Sequence, residues 1–114
     1  MKLNPDCIRD ILLTIEDNTG YGDEFSYPRE KTNYPLLAKY SENEVRYHLD
    51  QCRKSGLANF DISIADNYST EDLEPKGHEV LSKMRDETLW NRFKASVSPS
   101  DIFALIGIIR SFTV

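Results

Sequence analysis

The amino-acid sequence predicts one small α+β domain in which helices precede and follow a single β-hairpin. Three segments indicate this: a helix start at Asn4-Pro5-Asp6, a capping box at Ser41–Glu44, and alternating apolar residues from Phe60 to Ile64. The first two are signals for helix N-termini, and the third has the two-residue period of a half-buried strand. A chain of 114 residues suits one core. We therefore expect a single domain over residues 1–114, with a core over 1–97 and an apolar C-terminal helix over 99–113.

Composition and charge narrow the class of protein. The chain is 39% hydrophobic and 29% charged, as is typical of a folded soluble protein, and its net charge is -5. An acidic chain is a poor non-specific ligand for DNA, so any basic footprint must be local. Cys7 and Cys52 lie in apolar helical patterns and predict buried thiols in a reducing compartment. With no secretory signal and no span long enough for a membrane, we expect a cytoplasmic protein.

The first third of the chain begins with a well-signalled helix. Asn4 is a good N-cap and Pro5 is tolerated at the first helical position. Apolar residues then repeat at helical spacing until Gly20, which we expect to end the helix in the left-handed conformation. Phe25 and Tyr27 predict a short strand, and Pro35–Tyr40 predicts a brief helix.

The second well-signalled helix is predicted over Ser41–Gly56. The Ser41 side chain and the Glu44 carboxylate form a reciprocal capping box. Val45, Leu49 and Cys52 then form an inward stripe. Gly56 supplies the stop, since glycine tolerates the left-handed conformation that closes many helices.

A hairpin and further helices complete the chain. Phe60, Ile62 and Ile64 are expected to point inward from one strand. Asp66-Asn67 predicts the turn, and Tyr68–Glu74 the returning strand. Pro75-Lys76-Gly77 opens a helix, an apolar face at Trp90, Phe93 and Val97 follows, and a last helix runs from Ile102 to about Phe112.

This order, helix–strand–helix–helix–hairpin, is that of a winged helix-turn-helix domain with additional C-terminal helices. Another α+β packing of the same elements stays open.

Three segments resemble the YjcQ-like winged-helix group of small bacterial and phage proteins of unknown function: Met1–Leu13, Tyr40–Leu49 with Ser55-Gly56-Leu57, and Leu73–Leu81 continuing through Arg85–Trp90. The resemblance implies a winged-helix fold, a phage, prophage or bacterial setting, and an expectation of DNA binding. It implies no catalytic residues. The segment Tyr21–Asn33 looks longer than the usual pattern.

The outward face of the 41–56 helix is the candidate nucleic-acid site. Asn, Gln and Arg side chains can read base edges, and Lys or Tyr can reach phosphates. The predicted site comprises Lys39, Asn43, Arg46, Tyr47, Gln51, Arg53 and Lys54, with Arg29 and Lys31 as further basic residues nearby. A solvated helix would show similar residues, and the acidic wing (Asp66, Glu71, Asp72, Glu74) argues against a phosphate backbone. We nevertheless expect double-stranded DNA as the first partner and a DNA-binding regulator as the first function, because base-reading residues lie on the helix that occupies the recognition position.

The last helix supports the alternative, a non-enzymatic protein-interaction module on the same scaffold. Its residues are apolar on almost every side, which requires burial. The predicted partner interface is Ile102, Phe103, Ile106, Ile109 and Phe112. Packing inside the domain is favoured, and pairing with a protein partner or a second copy is the alternative.

No pattern for catalysis is present. His78-Glu79 has Ser82 where a zinc-protease helix requires a second histidine. The sequence has no nucleophile elbow and no phosphate-binding glycine loop. We therefore predict no enzyme, no metal, no cofactor and no small-molecule substrate.

Overall fold

The computed structural model describes residues 1–28, 34–96 (without the side chain of Ser96) and 99–111. Over these residues the protein has five α-helices and a three-stranded antiparallel sheet, which confirms the mixed α+β class. The elements are α1 Pro5–Asn18, β1 Phe25–Tyr27, α2 Glu42–Lys54, β2 Asp61–Ile62, β3 Tyr68–Thr70, α3 Pro75–Met84, α4 Glu87–Ser96 and α5 Ile102–Ser111.

Both predicted helix starts are confirmed. The Asn4 side chain accepts a hydrogen bond from the Asp6 N–H at 3.0 Å, and Pro5 is the first residue of α1. At α2, the Ser41 hydroxyl accepts from the Glu44 N–H at 3.1 Å. Each bond satisfies a backbone donor that has no partner within the helix.

The C-terminus of α2 is closed by the predicted glycine. Gly56 has a φ of +79°, in the left-handed region. The Leu57 N–H then donates to the Cys52 carbonyl at 3.0 Å, and the Gly56 N–H donates to the Arg53 carbonyl at 3.2 Å. This is the Schellman arrangement, in which the chain turns back sharply and satisfies two terminal carbonyls.

The sheet has the order β1-β3-β2, with both pairings antiparallel. β2 and β3 form the predicted hairpin, and Asp66 lies in its turn with a φ of +59°. The predicted inward stripe is wrong beyond Phe60: Ile62 is 44% exposed and Ile64 is fully exposed. The regular strand ends at Ile62, so the hairpin projects past the core and its tip faces solvent.

Two other local predictions need correction. Gly20 does not take the left-handed conformation; α1 ends at Asn18 with an extended Thr19, and Gly22 has the positive φ of +89°. Residues 35–40 form consecutive turns rather than a helix, because only a few hydrogen bonds such as Leu37 N–H to the Tyr34 carbonyl close them. Val97 lies outside the described residues.

The core lies between the helices and one face of the sheet. α1 packs on α2 and α3, and α3 packs on α4 and α5. Gly77 in α3 makes one of these contacts possible: a Cβ there would lie 2.2 Å from the Leu57 carbonyl oxygen. Since no side chain fits in that space, glycine lets α3 approach the chain that leaves α2.

Candidate interaction surface on the second helix

The side of α2 that faces away from α1 carries two adjacent rows of residues. Arg46, Asp50 and Arg53 repeat at helical spacing on the side toward the hairpin, while Asn43, Tyr47, Gln51 and Lys54 form the neighbouring row. Val45, Leu49 and Cys52 are fully buried on the opposite side, as the sequence predicted. The predicted nucleic-acid residues of α2 therefore do share one outer surface.

Arg46 is held against the hairpin. Its Nη1 donates to the Asp66 carbonyl oxygen at 2.5 Å, and its Nε lies 3.3 Å from a Glu42 carboxylate oxygen. Three-quarters of its side chain is covered. Arg46 thus links the helix to the turn of the hairpin, and its guanidinium is engaged on both sides.

Arg53 and Lys54 share one carboxylate. Arg53 donates to Asp50 Oδ1 from Nη2 at 2.7 Å and from Nε at 3.0 Å, and Lys54 Nζ lies 3.2 Å from Asp50 Oδ2. Partial burial by itself would raise the pKa of Asp50, but the hydrogen bonds from Arg53 and Lys54 outweigh it and hold this pKa below its usual range. Asp50 therefore stays charged and offsets the two cations.

Lys39 is paired with a carboxylate of the first helix. Its Nζ lies 2.9 Å from Asp10 Oδ2, and the Tyr40 hydroxyl donates to the same oxygen at 2.7 Å. Burial, together with this hydrogen bond, raises the pKa of Tyr40. The two contacts to Asp10 hold the turns at 34–40 against α1, so the Lys39 ammonium group is paired within the fold.

His48 lies on the inner side of α2 and is fully buried. Its Nε2 accepts from the Asn4 N–H at 2.8 Å, and its Nδ1 lies 2.7 Å from the Glu44 carbonyl oxygen, to which it donates. Only the neutral ring can accept at one nitrogen while donating at the other. Burial lowers the pKa of His48 and outweighs the bond to Glu44. This histidine is a structural link between the two helices.

The hairpin beside α2 combines acidic and apolar groups. Asp61 and Asp66 are exposed on it, and Ile62 and Ile64 present aliphatic surface to solvent. The acidic wing predicted from the sequence is therefore accompanied by apolar surface, which the alternating pattern had assigned to the core.

The predicted partner interface on α5 is mostly internal. Ile102, Ile106 and Ile109 are buried in the same core as α1 and α3. Phe103 is 60% exposed, and Phe112 lies outside the described residues. Of the described members, Phe103 is the one that an external partner can reach.

Other candidate groups have structural partners. Burial raises the pKa of the Cys7 thiol to about 12 and also raises that of Cys52, so neither is a thiolate at neutral pH. His78 lies 3.0 Å from Asp72 and 3.3 Å from Glu16 at the surface. Among the described residues no group of His, Cys, Asp and Glu has the arrangement of a metal site. No helix in the described part of the chain has the length and apolar character needed to cross a membrane.

Sequence reasoning identified Glu42 and Asp50 as acids that weaken the DNA interpretation, but it did not pair the predicted cations with their acids. For Glu42 and Asp50 the signal was available, because residues three and four positions apart on a helix are neighbours, and Arg46 stands four after Glu42 while Arg53 and Lys54 stand three and four after Asp50. For Asp10 and for the Asp66 carbonyl no local signal existed, since folding alone brings them to Lys39 and Arg46.

Comparison with known proteins establishes the family. A family model described as "Hypothetical protein (DUF2513)" matches residues 2–101, and the chain belongs to this family. An "Uncharacterized protein" from Haemophilus influenzae is 30% identical over 113 residues, which cover 96% of this chain and 90% of that protein. No solved structure matches the chain. The YjcQ-like resemblance and a phage origin stay predictions.

Proposed function

We propose that this protein is a winged-helix scaffold that acts as a protein-interaction module. The order of elements supports the scaffold: α1, β1, the turns at 34–40, α2 and the β2–β3 hairpin follow one another along the chain. β3 lies in the middle of the sheet, between β1 and β2, so the last strand of the hairpin pairs with the strand that precedes α2. In this scaffold α2 occupies the position of the recognition helix and the hairpin that of the wing.

One observation carries the choice of partner class. Each of the four cations of the predicted DNA site is paired with an acid of the same chain: Lys39 with Asp10, Arg46 with Glu42, and both Arg53 and Lys54 with Asp50. Arg29 and Lys31, the further basic residues, lie outside the described residues. A phosphate backbone is attracted by uncompensated positive charge. The surface of α2 is close to neutral, and the hairpin next to it adds negative charge. These charges favour a protein partner over a nucleic acid.

The hairpin tip is the proposed contact. Ile62 and Ile64 are aliphatic residues exposed side by side with Asp61 and Asp66. Exposed apolar surface rimmed by charge is typical of protein interfaces. The complementary partner is a protein that presents an apolar side chain flanked by Lys or Arg.

The test places a photo-crosslinking amino acid at position 64 and, as a matched control, at Tyr21, which is equally exposed but precedes Phe25 at the end of the sheet opposite the hairpin tip. We expect position 64 to crosslink to one protein in the source cell, position 21 to give no such product, and Ile62→Ser to abolish the product at 64. Equal products at both positions, or none at position 64, would contradict the proposal.

DNA binding is the second candidate, because Asn43 and Lys54 are exposed and Tyr47 and Gln51 half-exposed in one row of α2. These are residue types that read bases and contact phosphates. Fluorescence anisotropy with random-sequence duplexes at low salt separates the two. Under the proposal, wild-type binds no more tightly than the Arg53→Ala/Lys54→Ala variant. Salt-dependent binding that this variant loses would replace the proposal with the second candidate.

A further inference from the structure

The outer part of the hairpin has almost no buried contacts. Every residue from Asp61 to Asn67 is exposed, and the ladder between β2 and β3 ends at the pair Ile62 and Tyr68. Tyr68 is half-buried, and its ring meets the buried Phe60 ring edge-on with the centroids 5.8 Å apart. A segment that lies beyond such contacts has low local stability. Packing against the core therefore does not fix the direction in which the turn of the hairpin, residues 63–67, points.

The hydrogen bonds made inside this turn maintain its own shape. The Ser63 N–H donates to the Asn67 carbonyl at 3.0 Å, and the Asp66 N–H donates to the Ser63 carbonyl at 2.9 Å. The Asn67 N–H also donates to the Ser63 hydroxyl at 3.1 Å. These bonds do not connect the turn to the helices. Among the described residues, Arg46 supplies the hydrogen bond that does so, from its Nη1 to the Asp66 carbonyl oxygen.

Arg46 is also held from the side of α2. Its Nε lies 3.3 Å from Glu42 Oε2, one helical turn earlier, and three-quarters of its side chain is covered. Burial raises the pKa of Tyr27 and of Tyr68, which are register partners in the sheet, and the positive charge of Arg46 counteracts this rise at both. The planar guanidinium presents N–H groups in several directions, so one side chain can engage the helix and the turn at once.

We infer that Arg46 is a positioning residue, which fixes the direction of the hairpin and so presents Ile62 and Ile64 to the protein partner. A segment that is ordered before binding loses less conformational entropy when the partner docks, so the same apolar side chains bind more tightly. This role differs from the base-reading role that the sequence predicted for Arg46, since its guanidinium is engaged by the hairpin. The effect on the partner rests on the proposed function, whereas the hold on the hairpin does not.

Backbone ¹⁵N relaxation of the full chain tests the hold on the hairpin, with circular dichroism to verify that each variant is folded. In wild-type, residues 63–67 should have order parameters of about 0.85, as in a rigid backbone, and in Arg46→Ala these should fall below about 0.6. The helices should keep wild-type values, because the turn has no buried contact to lose. Arg46→Lys should also lose order, since a single ammonium group replaces the two engaged N–H groups.

Two matched variants separate the hydrogen bond from a general effect of charge. Arg53→Ala removes a cation from the same side of α2 whose partner is Asp50, and it should leave the order of residues 63–67 unchanged. Asp66→Asn removes a carboxylate but keeps the backbone carbonyl that Arg46 contacts, and asparagine tolerates the φ of +59° at this position. It should also leave the order unchanged. If Asp66→Asn lost as much order as Arg46→Ala, charge would hold the turn and the inference would be wrong.

The photo-crosslink at position 64 tests the effect on the partner. Arg46→Ala should lower the yield of the crosslinked product several-fold, while Arg53→Ala should keep the wild-type yield. A missing product in wild-type would count against the proposed function alone, because the order parameters still decide whether Arg46 holds the hairpin. Wild-type order parameters at residues 63–67 in Arg46→Ala, or a wild-type yield of product in that variant, would overturn the inference.

Discussion

The inner and outer sides of α2 use polar groups in opposite ways. On the inner side, the His48 ring is fully buried and both of its nitrogens are hydrogen-bonded, to the Asn4 N–H and the Glu44 carbonyl. On the outer side, Asp50 is paired with Arg53 and Lys54 where water still reaches all three. A buried polar group is costly when it loses its partner, whereas an exposed ion pair contributes little. The inner side therefore maintains the fold, and the outer side tolerates substitution at little cost in the free energy of unfolding.

The largest expected effect concerns the buried contact just beyond the inner side of α2, where the chain leaving this helix meets α3. Gly77→Ala would put a methyl group 2.2 Å from the Leu57 carbonyl oxygen, so the backbone must move. We expect the free energy of unfolding to fall by about 3 kcal/mol. Urea titration would measure this, with Gly107→Ala as the control, since no atom of the described residues lies within 4 Å of the Gly107 Cβ position and the variant should gain roughly 0.5–1 kcal/mol. A tolerated Gly77→Ala would mean that α3 is not tightly held there.

A smaller effect is expected from pH. Because burial lowers the pKa of His48 in the folded protein, the unfolded chain binds its proton more readily. This contribution to stability is complete above the unfolded pKa of about 6.5 and is lost as the pH falls through the lower folded pKa. The free energy of unfolding should therefore fall between pH 7.5 and pH 5.

The His48→Gln variant isolates that effect, since its amide can accept from the Asn4 N–H but does not titrate in this range. Urea titrations of both proteins across the range should show a shallower decline for His48→Gln. Parallel curves would mean that His48 does not control the acid response.

The smallest effect is expected on the outer side. Asp50→Asn leaves Arg53 and Lys54 without their shared carboxylate but removes no buried contact. We expect the free energy of unfolding to change by less than about 0.5 kcal/mol. Thermal denaturation would measure it. A loss well above 1 kcal/mol would show that the outer side contributes to stability as much as the inner side does.

Asp50→Asn also leaves the Arg53 and Lys54 cations without their carboxylate, so a gain in salt-dependent DNA affinity would support the second candidate function.

Sequence reasoning succeeded where the signal was local. Asn4, Ser41 and Gly56 each act on backbone groups within a few residues of themselves, and the structure confirms all three. It failed for Ile62 and Ile64, because a period of two indicates which side of a strand is apolar but not how far the core extends beneath it.

The candidate surface was predicted less completely than the fold. Helical periodicity correctly placed Asn43, Tyr47 and Gln51 away from the buried stripe. Whether a cation is available for a ligand depends on its neighbours, and two of these come from distant parts of the chain: Asp10 of α1 at Lys39, and the Asp66 carbonyl of the hairpin turn at Arg46. Only the folded chain brings these groups together.

Tyr34 has a consequence for how the protein behaves at high concentration. Its buried ring stacks on the Phe25 ring with the two centroids 4.9 Å apart, and its hydroxyl accepts from the Ser26 N–H at 3.1 Å. That N–H lies on the outer edge of β1, where an unpaired strand would otherwise offer a template for another chain. The opposite edge, β2, is two residues long and begins with Asp61. Both edges of the sheet are thus protected against the addition of further strands, the step by which β-rich aggregates grow.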